Sequence, residues 1–231
     1  IRRDLTFWLL FLSRKKVKKY QWGCCIAAPL YSFKKTIMLQ AIINTLTRKG
    51  YIIHTRPFEL NIIGVRSSNA KPNQFDDNIH VIFKRADGEW LHNQFPATTD
   101  PGTHWLKTFM NRNGTAILKP GQYRHSHRIG VHRNKYQALV QQNPVTVLRD
   151  DNADQVLDFN TQKQETGIFG INIHRASVNG VTKSVDKHSA GCQVLADVND
   201  FNLLMQLAER HKKLYGNNFT YTLMEEREIG N

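Results

Sequence analysis

Residues Gly167–Val194 read GIFGINIHRASVNGVTKSVDKHSAGCQV. A short apolar run ends in His174, a polar loop rich in Ser, Asn, Gly and Lys follows, and a tight Ser189-Ala190-Gly191 turn delivers one cysteine, Cys192. The fourteen residues 175–188 between His174 and Ser189 suffice to join two neighbouring strands, or a strand and a turn, and so to bring an imidazole against a thiol. A thiol is a weak nucleophile until it loses its proton, and an adjacent imidazole can take that proton and later hand it to a leaving group. Gly191 permits close approach of the backbone to a substrate, with the Gly191 and Cys192 N–H groups as donors to a developing oxyanion. Ser189 shapes the turn. The blander alternatives are a small buried cysteine and a satisfied core histidine. A zinc site from His174, His188 and Cys192 would use the same ligand types, but no Cys-x-x-Cys or His-Glu-x-x-His accompanies them.

A histidine followed about fifteen residues later by Ser-X-Gly-Cys resembles the signature of the L,D-transpeptidase catalytic domain, the YkuD-like family, whose motif is Ser-His-Gly-Cys. His174, Ser189, Gly191 and Cys192 match it residue by residue. Ala190 stands in place of the second histidine, and His188 is two positions out of register. The resemblance covers roughly residues 75–195 and is concentrated in 167–194. It implies a mostly β (β-rich α+β) fold, a sandwich or barrel with the site at one end and a few peripheral helices. It further implies attack of a Cys192 thiolate on a carbonyl of a peptidoglycan stem peptide, with His174 as general base and then acid and the Arg175 backbone carbonyl orienting the imidazole. No metal or organic cofactor is implied. Resolution of the acyl-enzyme by an amine gives transpeptidation, and by water gives carboxypeptidase or endopeptidase activity. The sequence leaves that choice open, beside a non-catalytic wall-binding module that keeps only the fold. Such a substrate places the protein in the periplasm or cell wall, and a monomer is expected.

Composition narrows the partners. The chain has 231 residues, 40% of them apolar, which is enough for a folded core and too apolar for disorder. Three cysteines, two of them the adjacent Cys24 and Cys25, make no disulfide framework and leave Cys192 free to react. The net charge is +13, but residues 1–37 hold nine Lys/Arg and one Asp, which leaves 23 basic and 18 acidic residues for the other 194. Basicity is a property of the N-terminal segment, so no nucleic-acid partner is expected from the total. Within that segment Leu5–Leu12 is too short to span a bilayer, and the basic run Arg14–Lys19 follows it, the reverse of a secretory signal. Residues 1–37 therefore read as a basic, aromatic extension ahead of a start at Met38, able to contact an anionic membrane surface.

Residues 38–231 read as one catalytic domain, with a core of about 75–195 and a C-terminal helix and strand over 197–226. Met38, Leu39, Ile42, Ile43 and Leu46 give Met38–Lys49 a helical apolar face that Gly50 ends. Strands are expected over Tyr51–Arg56 and Phe58–Arg66, and a hairpin over Asn78–Lys84 and Glu89–Phe95 about the Asp87-Gly88 turn. Ala116–Tyr123 reads as a strand broken at Pro120-Gly121, and Pro144–Leu148 as a further strand. Arg124–Arg133 (RHSHRIGVHR) is expected to be a basic loop or edge strand, or else a wall drawing in substrate carboxylates through Arg124 and His127. Gln193, beside the nucleophile, is a third expected substrate contact. Asp150, Asn152, Asp154 and Asp158 mimic calcium-loop spacing without its glycine or final acid, and read as an Asx-rich turn. A helix over Asp197–Tyr215, capped by Asn199 or Asp200 and stopped by Gly216, precedes a last strand, Phe219–Met224.

Overall fold

The hairpin expected at Asp87-Gly88 is the seed of the main sheet. Strands β2 (Asp77–Lys84) and β3 (Trp90–Thr98) pair antiparallel from Asp77 opposite Ala97 to Lys84 opposite Trp90, and Gly88 turns between them at φ 88°. In the computed structural model, which describes residues 27–230 with side chains from Thr36 onward, this hairpin belongs to a closed barrel. The apolar and basic runs of residues 1–26, with the membrane contact expected of them, lie outside the described residues. The chain divides into units 1–34 and 35–231, and the second carries the barrel.

The remaining barrel strands are β1 (Asn61–Arg66), β5 (Gly121–His132), β6 (Tyr136–Gln141), β9 (Ile173–Arg175), β10 (Gln193–Leu195) and β11 (Phe219–Glu225). Around the barrel the order is β1-β11-β5-β6-β9-β10-β3-β2, with β1–β11 and β9–β10 parallel and the other pairs antiparallel. A second, three-stranded sheet is built from β4 (Thr115–Leu118), β7 (Val145–Asp150) and β8 (Gln164–Gly167), in the order β4-β7-β8. The fold is mostly β.

Helix α1 (Ala27–Arg48) seats Ile42 and Leu46 against Ile63, Val65, Ile82 and Met224 on the outer face of the barrel. Each such buried side chain contributes about 1.5–3 kcal/mol. Helix α3 (Val198–Tyr215) places Phe201, Leu204 and Ala208 on the principal core, with Ile62, Val81, Leu139, Ile173, Leu195 and Tyr221 from the barrel and Leu118 and Val147 from the second sheet. Its cap is Asp197, not the expected Asn199 or Asp200, which lie within the first turn; the Asp197 carboxylate accepts the Asn199 N–H, and Gly216 closes the helix at φ 91°. A short helix, α2 (Thr103–Lys107), was not expected and follows the Asp100-Pro101-Gly102 turn.

Three expectations are corrected. Residues Tyr51–Arg56 form no strand: side chains meet this backbone instead of a neighbouring strand, Asn61 taking the N–H and carbonyl of His54 and Gln122 those of Ile52. Arg124–Arg133 is neither loop nor edge, since β5 is hydrogen-bonded on both sides, to β11 and β6. Two of its polar side chains, Ser126 and His127, are fully buried. The apolar run after Gly167 is not a strand until Ile173. Gly170, at φ 74°, interrupts it, and Gln141 serves in place of a partner strand, accepting the Phe169 and Ile171 N–H groups and donating to the Gly167 carbonyl.

Candidate active site

The parallel pairing of β9 with β10 builds the site. Gln193 lies opposite Ile173, Val194 opposite His174 and Leu195 opposite Arg175, and the Gln193 N–H donates to the Asn172 carbonyl. Cys192, one residue before β10, thus falls beside Asn172. Because side chains alternate with period two, Cys192 and His174 project from the same face of adjacent strands. Cys192 is half-buried and unpaired with any other cysteine among the described residues. It lines a cleft of about 450 Å³ that also involves Ala116, His132, Arg133, Arg149, Phe169 and Asn172.

The Ser189–Gly191 turn is held from three directions. The Ser189 hydroxyl donates to the Cys192 carbonyl at 2.8 Å and accepts the Gly191 N–H at 3.1 Å. The Ser189 carbonyl accepts the Gly102 N–H at 2.9 Å, which braces the turn on the segment after β3. Gly191 adopts φ 117°, and a Cβ there would stand 2.3 Å from the Ala116 carbonyl oxygen on β4, so only glycine fits. Its N–H is committed to Ser189, which corrects its assignment as an oxyanion donor. The Cys192 N–H donates to no acceptor among the described residues and keeps that role.

His174 is 4% exposed, and its Nδ1 lies 2.9 Å from the Arg175 carbonyl oxygen. A carbonyl only accepts, so Nδ1 carries the proton and Nε2 holds the free lone pair. The Tyr136 hydroxyl, 3.3 Å from Nδ1, donates to the same carbonyl. Burial, then the stacked His132, push His174 down to about 3. Burial likewise raises the Cys192 thiol above its ordinary range, against the smaller pull of the Asn172 N–H and Arg133. Cys192 and His174 therefore rest as a neutral thiol and a neutral imidazole, and Cys192 Sγ donates to the Gly170 carbonyl at 3.3 Å. Such a pair needs the imidazole to take the proton as the sulfur attacks.

The expected substrate contacts are elsewhere. Gln193 is fully buried in the barrel, accepting the Tyr221 hydroxyl at 2.7 Å and donating to the Gly191 carbonyl at 3.2 Å. His127 is also fully buried, bonded through Nε2 to the Ile171 carbonyl at 2.8 Å. Arg124 is exposed, but eight residues along β5 from the cleft residue His132, or about 25 Å at strand rise. The cationic wall instead comes from Arg133, in the tight turn after β5, and Arg149 on β7. Arg149 is 4% exposed, donates to the Gly114 carbonyl and pairs with Glu165 at 2.7 Å. His132, Asn172 and Tyr136 are site residues that the sequence did not single out. His132 lay within a stretch marked as basic, without a signal to separate it from its neighbours.

The acidic turn after β7 is knitted to itself. The Asn152 side-chain amide donates to Asp154 and Asp158, and the Asp154 carboxylate accepts the Val156 N–H. Among the described residues no group of three His, Cys, Asp or Glu side chains is placed to hold a metal ion. No described helix is long and apolar enough to cross a membrane.

No protein-family model matches this chain. No curated protein matches it, and no solved structure does.

Proposed function

We propose that this protein is a cysteine acyltransferase acting on peptidoglycan stem peptides, with the L,D-transpeptidase, YkuD-like chemistry that its Gly167–Val194 stretch resembles. One observation supports the reading: the register of β9 and β10 puts Cys192 and His174 on one face, with no hydrogen-bond partner for His174 Nε2 among the described residues and a cleft in front of the thiol. The barrel, with this cleft at the ends of β9 and β10, suits a YkuD-like domain.

In the first step the Cys192 S–H proton passes to His174 Nε2 while the sulfur bonds to the substrate carbonyl carbon. The tetrahedral intermediate collapses to a thioester, and the departing amine takes the proton from His174. In the second step an incoming amine or water loses its proton to His174 as it attacks the thioester, and the thiol is restored. Transfer and hydrolysis differ only in that acceptor. Arg133, with no carboxylate partner among the described residues, offers a charge for a substrate carboxylate. A periplasmic or cell-wall location follows from the substrate.

The test is mass spectrometry of purified muropeptides after incubation with wild type and Cys192→Ala. Cross-linked or amino-acid-exchanged products that vanish in the variant establish transpeptidation, and shortened stems without exchange establish a hydrolase. Identical, unchanged muropeptides with both proteins sink the reading in favour of a wall-binding module.

A further inference from the structure

The Gly191 N–H is spent on Ser189, so an acyl-transfer site here has only the Cys192 N–H from the turn to receive a developing oxyanion. A single donor is poor provision for a step in which a full negative charge forms on oxygen. The cleft holds a second polar N–H of fixed direction. Asn172 orients it: its Oδ1 accepts the Gln141 N–H at 2.8 Å, which turns its amide nitrogen toward His132 Nδ1 at 3.0 Å. An amide nitrogen only donates, so His132 Nδ1 is the accepting nitrogen and the proton sits on Nε2. Nε2 meets no hydrogen-bond partner among the described residues, and His132 lines the cleft with Cys192. The ring is stacked on His174 with centroids 4.2 Å apart, which prevents it from turning away. The two histidines thus carry their protons on opposite nitrogens: His174 presents a lone pair at Nε2, and His132 presents an N–H.

We infer that His132 is the second oxyanion donor of this site, its Nε2–H and the Cys192 N–H together receiving the carbonyl oxygen as Cys192 attacks. The inference rests on the acyl-transfer reading above and adds a residue to it. Burial holds the imidazole neutral at working pH, down to about 4, so it stabilises the oxyanion without giving up its proton. Ala190 also lines the cleft, and its methyl group brings no competing donor to that oxygen.

Two reagents, one whose reaction with the thiol forms an oxyanion and one whose reaction does not, separate this role from a structural one. Acylation of Cys192 by p-nitrophenyl acetate passes through a tetrahedral oxyanion: the carbon–sulfur bond forms, and the ester carbon–oxygen bond breaks to release p-nitrophenolate. Alkylation by iodoacetamide displaces iodide at a saturated carbon and has no oxyanion. The ratio of the two rates in wild type, His132→Phe and His132→Gln is the readout, with His132→Met replacing His132→Phe if the larger ring does not fold. Loss of the donor is expected to lower the ratio about 100-fold in the Phe or Met variant, and the Gln variant, which retains an N–H, is expected to recover at least tenfold of that. A ratio within threefold of wild type in the donorless variant overturns His132 as an oxyanion donor and leaves the cysteine–histidine reading standing. Failure of wild type to react with either reagent overturns both.

Discussion

The Tyr221 hydroxyl donates to Gln193 Oε1 at 2.7 Å in the barrel interior, where both side chains are fully buried. The residue next to the nucleophile is therefore anchored through the core to β11. The contact exists because β1 carries glycine at position 64, where a Cβ would stand 1.9 Å from the Tyr221 oxygen. The backbone of Cys192 is positioned from within the barrel as well as from the Ser189 turn.

Tyr221→Phe removes that donor and leaves Gln193 Oε1 buried without its partner. An unsatisfied buried acceptor costs about 1–3 kcal/mol. For a unit of this size that corresponds to about 2–4 °C per kcal/mol in a thermal melt. Cys192 should remain reactive in the folded variant. An unchanged melting temperature would mean that the Gln193–Tyr221 pair contributes nothing.

Gly191→Ala meets two penalties at once, a positive φ of 117° and a carbonyl oxygen 2.3 Å from the new methyl group. The obstacle is the backbone of β4, which cannot swing aside as a flexible side chain would. Strained conformations of this sort cost about 1–3 kcal/mol before the clash is counted. The variant should melt several degrees lower and lose acyl transfer, because the turn delivering Cys192 must shift. Muropeptide turnover equal to wild type would show that the turn tolerates movement.

Stability should fall on acidification between pH 6.5 and 4. His80 and His127 are buried and depressed, to about 3 and about 4, by desolvation, with the His92 charge adding at His80. His174 is depressed to about 3 in the same way. Below pH 6.5 the unfolded chain binds protons at these sites that the fold refuses, so each buried histidine withdraws about 1.4 kcal/mol per pH unit. Asp100 and Asp150, raised to about 7 and about 6 chiefly by burial, oppose this, because the folded state binds their protons more tightly. The depressed histidines, His54, His132 and His211 among them, outnumber the raised carboxylates, Asp77 and Asp200 among them, and the melting temperature at pH 5 should lie several degrees below that at pH 7. Equal values would mean that the carboxylates cancel the histidines.

The sequence exposed what local pattern controls. The Asp87-Gly88 hairpin, the apolar face of α3 with its glycine stop, and strands β7 and β11 all follow from spacing within one element. The candidate pair was legible for a similar reason, since the loop between His174 and Ser189 allows parallel neighbours. What escaped depends on partners distant in sequence. His127 and Gln193 look like surface residues until the Ile171 carbonyl and the Tyr221 hydroxyl, brought from other strands, make them interior ones. Tyr51–Arg56 reads like a strand, yet the Asn61 amide satisfies His54 from seven residues away. His132 carries no local mark at all. Its tautomer is set by Asn172, forty residues on, and its place by the His174 ring.

The protonation state of the resting pair yields the last prediction. If Cys192 and His174 rest as thiol and imidazole, the base is lost only when His174 takes a proton, with a midpoint near 3. At a temperature where the folded state stays fully populated, the pH profile of kcat/KM should therefore stay level from pH 8 down to 5. A pair resting as thiolate and imidazolium would instead lose rate as the thiolate is protonated. His174→Gln keeps a polar side chain but supplies no base, and kcat should drop by about 10²–10⁴. The deficit should shrink as pH rises toward the raised range of the thiol, because hydroxide then removes the proton that His174 would have taken. A deficit that stays constant up to that range would mean that His174 acts by shape and not as a base.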